Sequence, residues 1–269
     1  MTEADQQERR FGRLTGQGDE GLLTYESYLN IRELLSLQQL RSDPPVHDEL
    51  LLVVVHQVYE LWFKQLLFEL EAAREAMRED LCARAQQLLA RVRAIERVLI
   101  EHIQVLQTMT PQDFLEFRDA LTPASGFQSA QFRELEFLSG LKDRRFVEDL
   151  ATDSGERERL VRRFAEPTVW DGFVELMRAH GYTMSEDDAE ARAASLVAMA
   201  REHGEVFAVS EGLLDHDEML VRWRCLHVLM VEREIGAKRG TGGSSGVGYL
   251  RSTLDKRCFP ELWGMRSLL

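Results

Sequence analysis

Residues 48–77 read DELLLVVVHQVYELWFKQLLFELEAAREAM, and this stretch decides the fold. Leu52, Val55, Tyr59, Trp62, Phe63, Leu66 and Leu70 recur at three- and four-residue steps, the period of one helical face. No glycine or proline interrupts the run, and Pro44-Pro45 stops whatever precedes it. Leu50 to Val55 is apolar on every side, which predicts a helix end buried all round.

Downstream, Leu88, Val92, Ile95, Leu99, Ile103 and Leu106 predict a second long helix from about Cys82 to Met109. Thr110-Pro111 then offers an N-cap followed by proline at the first helical position, opening a short helix through Arg118. LTPASGFQS, residues 121–129, reads as a loop, and Gln128 to Gly140 as helix again. Over 143–212 the periodicity weakens into shorter, more charged helices, with Pro167 suiting one start and Ser185 to Asp188 resembling a capping box. A last long helix is expected over about 215–235, stopping at Gly236. Upstream, 23–41 predicts a short helix, and the polar residues 1–22 a mobile arm. No segment alternates with period two. The expectation is an all-α bundle: one domain over 23–269, built on long central helices, with 143–212 as a decorating helical subdomain.

Composition narrows the function. The 269 residues carry 33 Lys plus Arg against 46 Asp plus Glu, a formal charge of −13. That balance counts against nucleic acid and anionic membranes as partners. The longest apolar run is too short to span a bilayer, and the polar first residues lack a secretory signal. Three scattered cysteines, Cys82, Cys225 and Cys258, suit a reducing cytoplasm and form no C-x-x-C pair.

Seven histidines are present, none with Glu three positions before it, so a di-iron carboxylate bundle is disfavoured. His56 and His227 stand in apolar surroundings on two separate long helices. A buried imidazole must be hydrogen-bonded or bound to a metal, and two facing one cavity would suit a planar haem, one as axial ligand and one opposite. A satisfied core histidine is the bland alternative. Phe114 and Arg118 share a helical face, and a guanidinium beside an apolar cavity suits bidentate capture of a carboxylate; a surface ion pair is the alternative. Gly240 to Gly246, GTGGSSG, is neither a Walker loop nor a dinucleotide fingerprint. It is either a flexible linker or a loop that closes over a ligand, with Thr241 contributing a hydroxyl.

Three stretches together resemble the tryptophan 2,3-dioxygenase family: His56-Gln-Val-Tyr-Glu-Leu-Trp-Phe-Lys-Gln65, Pro123-Ala-Ser-Gly-Phe-Gln-Ser129 with Gln131-Phe-Arg133, and Gly240 to Gly246. Leu23-Thr-Tyr25, Tyr28-Leu29 and Phe259-Pro-Glu-Leu-Trp263 are similar too, so the likeness runs from about residue 23 to the C-terminus. The resemblance implies an all-helical protein with b-type haem, active in the ferrous form, that opens the indole ring of L-tryptophan with O2 to give N-formylkynurenine. It implies a cytoplasmic homotetramer in which N-terminal arms complete neighbouring sites. Carried over by motif, His227 is the proximal iron ligand and His56 the distal group that accepts the indole N–H. Arg118 clamps the substrate carboxylate, with Phe114 beside it. Thr241 meets the ammonium, Ser125 and Arg133 lie by the haem, and Tyr25, Tyr28 and Leu29 come from a neighbour's arm. Leu52 and Glu26 depart from the family pattern, which commonly has Phe and Gly there. Losing an aromatic wall at Leu52 leaves open a divergent oxygenase that takes a substituted indole and inserts one oxygen atom. A haem-binding sensor or carrier is a third possibility.

Overall fold

The computed structural model describes residues 23–149 and 154–269; the arm expected over 1–22 lies outside the described residues. The chain divides into two compact units, Met1–Gln39 and Leu40–Leu269. In the first, the single helix expected over 23–41 is two short pieces, α1 (Tyr25–Leu29) and α2 (Ile31–Leu34). Thr24 and Ser27 form a capping box at the start of α1. Asn30 breaks the pair by adopting a left-handed conformation at φ 50°, which asparagine tolerates better than most residues.

The second unit is built on three long helices, α3 (His47–Arg78), α4 (Cys82–Leu106) and α11 (Glu205–Ile235). Only Glu79 to Leu81 join α3 to α4, so the two fold back as a helical hairpin. α4 packs along both α3 and α11 and is the centre of the core. Its Ala85, Leu88, Val92, Leu99 and Ile103 are buried on one face while Arg84, Arg91 and Glu101 stand on the other. α11 can lie close because Gly212 faces Leu89: a Cβ there would sit 3.0 Å from Leu89 Cδ1 and 3.2 Å from its Cβ.

Short elements surround this frame: α5 (Pro111–Phe117), α6 (Ala130–Leu138), α7 (Arg145–Asp149), α8 (Ser154–Ala165), α9 (Val169–Ala179), α10 (Ala189–Glu202), α12 (Val247–Arg251) and α13 (Pro260–Met265). No strand occurs among the described residues, as the missing period-two pattern predicts. Thr110 caps α5 through Asp113, with Pro111 at its first position, as expected. Three boundaries differ. α11 starts ten residues before the expected position, because Gly204 at its N-cap rather than Asp215 marks the entry. α9 begins at Val169 with Thr168 as its cap, and Pro167 stands just outside. Ser185 does not start a helix: its Oγ accepts from Asp188 N–H, and Asp188 itself caps α10.

The sequence expectation also underrates α3. By length and composition α3 is apolar enough to cross a membrane. One face of this helix is core, with Leu66, Leu70, Ala73 and Met77 fully buried. Its opposite face leaves Leu50, Val54, Leu61 and Phe68 exposed, so the expected all-round burial of the 50–55 end fails.

Candidate functional site

A cavity of about 620 Å³ opens between the N-terminal part of α3, α5, the 121–129 segment, α6, the C-terminal half of α11 and the glycine-rich loop after it. That is within the size range of ligand and cofactor sites. Leu52, His56, Phe114, Arg118, Ser125, Arg133, His227 and Thr241 all line it. Residues up to 189 positions apart in the chain thus line one cavity. Tyr25, Tyr28 and Leu29 belong to the 23–39 unit, where all three are exposed.

His227 projects from α11 and is half-buried. Its ring stacks on Trp223, one helical turn earlier, at 5.0 Å between centroids and 12° between planes. Burial, and secondarily the charge of His56, push its pKa down to about 4. The imidazole is therefore neutral at physiological pH, and neither ring nitrogen has a hydrogen-bond partner among the described residues. Cys225, two residues before His227, is exposed on another face, as that offset requires.

His56 differs from expectation. It is exposed rather than buried in an apolar shell, because its helix face borders the cavity instead of the core. Its Nδ1 lies 2.8 Å from the Leu52 carbonyl oxygen. A carbonyl only accepts, so Nδ1 carries a proton, and in the neutral ring Nε2 keeps a lone pair. Gly126 faces this nitrogen: a Cβ there would stand 3.9 Å from Nε2.

Arg118 follows α5 and makes no ion pair with a carboxylate among the described residues; one Nη donates to the Arg239 carbonyl. Among the described residues no surface ion pair engages it, and the guanidinium keeps N–H groups for the cavity. Thr241 donates to the Ala124 carbonyl at 2.7 Å, which ties the glycine-rich loop to the 121–129 segment. The same contact needs Gly242, where a Cβ would sit 2.7 Å from Ser125 Cβ. The loop is therefore a fitted wall rather than a free linker. Ser125 Oγ accepts from Phe127 N–H, shaping the turn opposite.

Several wall residues carry no local sequence signal. Glu136 bridges Arg133 at 2.5 Å and Arg224 at 3.0 Å, all three buried. Two cations on one anion leave a net positive charge, and Arg133 Nε and Arg224 Nη1 have no partner. Arg133 also lies 4.1 Å over the Phe146 ring. Tyr59 buries its hydroxyl, donates to the Leu99 carbonyl at 2.8 Å, and has its pKa pushed up to about 12 by that burial. Glu234 borders the cavity with its pKa raised by burial and one oxygen unpartnered. The i−4 spacing of Trp223 to His227 was the one available signal.

The tryptophan 2,3-dioxygenase family model matches residues 11–172 and 174–269. The chain belongs to that family. A tryptophan 2,3-dioxygenase from Nocardioides sp. is 55% identical over 260 residues, covering 94% of this chain and 97% of that protein. Those of Herpetosiphon aurantiacus and Anaeromyxobacter sp. are 44% and 41% identical, covering 91% and 92% of this chain and 98% and 96% of theirs. Family membership thus spans both cavity walls, including the loop and α11 segments that carry Thr241 and His227.

Proposed function

We propose that this chain opens the indole ring of L-tryptophan with O2 to give N-formylkynurenine, using ferrous haem b held in the cavity by His227. The observation that carries the proposal is that a neutral, unpartnered imidazole and an imidazole with a bare Nε2 line the same cavity. The residues fit the cofactor. A neutral imidazole is the form that ligates iron. The unpartnered Arg133 and Arg224 N–H groups, in excess of Glu136, suit an anionic haem edge. Ferrous haem, when bound, supplies the metal that takes O2.

The protein's own residues then do the positioning. His56, held at Nδ1 by the Leu52 carbonyl, accepts the indole N–H at Nε2. Arg118 offers its remaining N–H groups to the substrate carboxylate, with Phe114 packing beside it. Thr241 commits its proton to Ala124, so its oxygen lone pairs face the ammonium. Leu52 leaves room against the indole where an aromatic ring would fill it. Holding both ends of the amino acid fixes the reacting ring, and fixed orientation supplies much of the rate.

The assembly is proposed to be a cytoplasmic homotetramer, with Tyr25, Tyr28 and Leu29 of a neighbouring copy closing each pocket. The exposed apolar stripe Leu50, Val54, Leu61 and Phe68 on α3 supports burial against another copy. Purified protein should be red with a Soret band. Anaerobic reduction followed by O2 and tryptophan should yield a product heavier by two oxygen atoms. A product heavier by one would replace this reading with the monooxygenase one, and a colourless protein that takes up no haem would end both.

A further inference from the structure

At the far end of α3 a second constellation has no part in the proposed chemistry. Arg78, the last residue of α3, is 22 residues beyond His56, about 33 Å along the axis. Just past it, the Asp80 carboxylate, the Cys82 thiol and the His180 imidazole bring their ligand atoms within 4.8 Å of one another. Three elements meet here: the α3–α4 turn, the first residue of α4, and the C-cap of α9. Asp80 and His180 are already joined, Nε2 to Oδ1, at 2.7 Å. Asp80 holds a left-handed conformation at φ 59° to make the turn.

We propose that Asp80, Cys82 and His180 form a divalent transition-metal site, for which zinc is the best-matched ion. Thiolate, imidazole and carboxylate are the donor types zinc takes, and three protein ligands leave a fourth position for water. A magnesium or calcium site would need mostly oxygen donors. Alternative roles for the thiol fit worse. Burial and the anionic Asp80 and Glu205 push its pKa up, so it is the opposite of an activated nucleophile. The same negative surroundings favour an arriving cation. Binding breaks the His180–Asp80 hydrogen bond and turns both groups onto the ion. The Cys82 proton, and the His180 Nε2 proton where that nitrogen carries it, pass to solvent, so affinity rises with pH. The bound ion would staple the hairpin corner to α9.

The test uses the purified holoprotein, treated with chelator and dialysed against zinc. Zinc and iron per chain are measured in one digest, and thermal unfolding is followed with and without zinc. The expected result is one zinc per chain and a zinc-dependent rise in Tm. Cys82→Ser, His180→Gln and Asp80→Asn should each weaken zinc binding at least tenfold and shrink that rise, while Cys225→Ser changes neither. Asp80 is exposed, so its variant guards against a folding defect in the Cys82 one. Wild-type protein that binds no zinc, or binding unchanged in the Asp80 and His180 variants, overturns the site.

Discussion

The indole of Trp223 lies flat against the imidazole of His227, 5.0 Å away and tilted by 12°. One helical turn separates the two residues, so α11 itself sets the stack. The face of His227 turned to Trp223 is covered, and the ring is held by packing rather than by a hydrogen bond among the described residues. Trp223 is in turn fixed by Phe132, 5.1 Å away, and Tyr59, 6.2 Å away. Replacing Trp223 with Leu should therefore leave His227 present but loosely aimed. Haem should dissociate at least tenfold faster in a transfer assay to apomyoglobin, with a broadened Soret band. An unchanged off-rate would reject the stack as an orienting device.

His227→Ala should remove the cofactor itself. The prediction is purified protein with little haem and no tryptophan-dependent O2 uptake, partly rescued by added imidazole, which can occupy the vacated space. Full haem occupancy and activity in this variant would reject His227 as the iron ligand.

Much of this site was legible in the sequence, and the reasons differ from residue to residue. His227 and His56 were found because helical periodicity put both on long helices among apolar neighbours. Ser125 came only through resemblance, and Thr241 stood in a glycine-rich loop whose composition equally describes a linker. The exposure of His56 was not legible: periodicity tells which face a residue is on, not whether that face meets core or cavity. Glu136 escaped for a related reason. Its partners are Arg133 on the same helix and Arg224 on another, 88 positions away, and no local pattern encodes that pairing. The early start of α11 was missed because Gly204 is a weak cap signal beside the acidic cluster at 215–218.

The titration of His227 gives a signed prediction for stability. Its pKa is lowered from 6.5 to about 4 in the folded chain, mainly by burial. Below pH 6.5 the unfolded chain takes up a proton that the folded one refuses. Stability in the haem-free protein should thus be intact above pH 6.5 and fall as pH drops toward 4, by at most about 3 kcal/mol from this group. Urea unfolding of the haem-free protein at pH 7, 5.5 and 4.5, compared with His227→Gln, isolates the contribution. Identical pH slopes in the two proteins would show that the imidazole is not held neutral by burial.

Arg118→Ala should mainly weaken substrate capture. A charge-assisted bidentate contact is worth about 2–4 kcal/mol, or roughly 30- to 1,000-fold in kcat/KM. Arg118→Lys keeps the charge but loses the fork, so it should recover only part of the loss. Because Arg118 is half-buried and its structural contact is a single bond to the Arg239 carbonyl, neither variant should lower Tm by much. Tryptamine, which lacks the carboxylate, gives a control: the wild-type preference for tryptophan over it should collapse in Arg118→Ala. Steady-state kinetics with both substrates decide the point, and a preserved preference would place the carboxylate elsewhere.

Glu136 offers the sharpest contrast between stability and cofactor affinity. Its carboxylate is buried between two guanidiniums, and Glu136→Gln leaves both positive charges without an anion. Breaking a buried pair by removing one partner costs about 3–5 kcal/mol, because the remaining charge keeps its desolvation penalty. If Arg133 and Arg224 also face an anionic edge of the cofactor, bound haem should neutralise part of that excess. The loss of stability on Glu136→Gln should then be larger in haem-free protein than in holoprotein, while haem binds at least as tightly as in wild type. Measuring unfolding free energy in both forms, together with haem off-rates, tests this directly. Equal losses in the two forms would mean that the arginine pair serves the core alone and that the anionic edge is met by other groups.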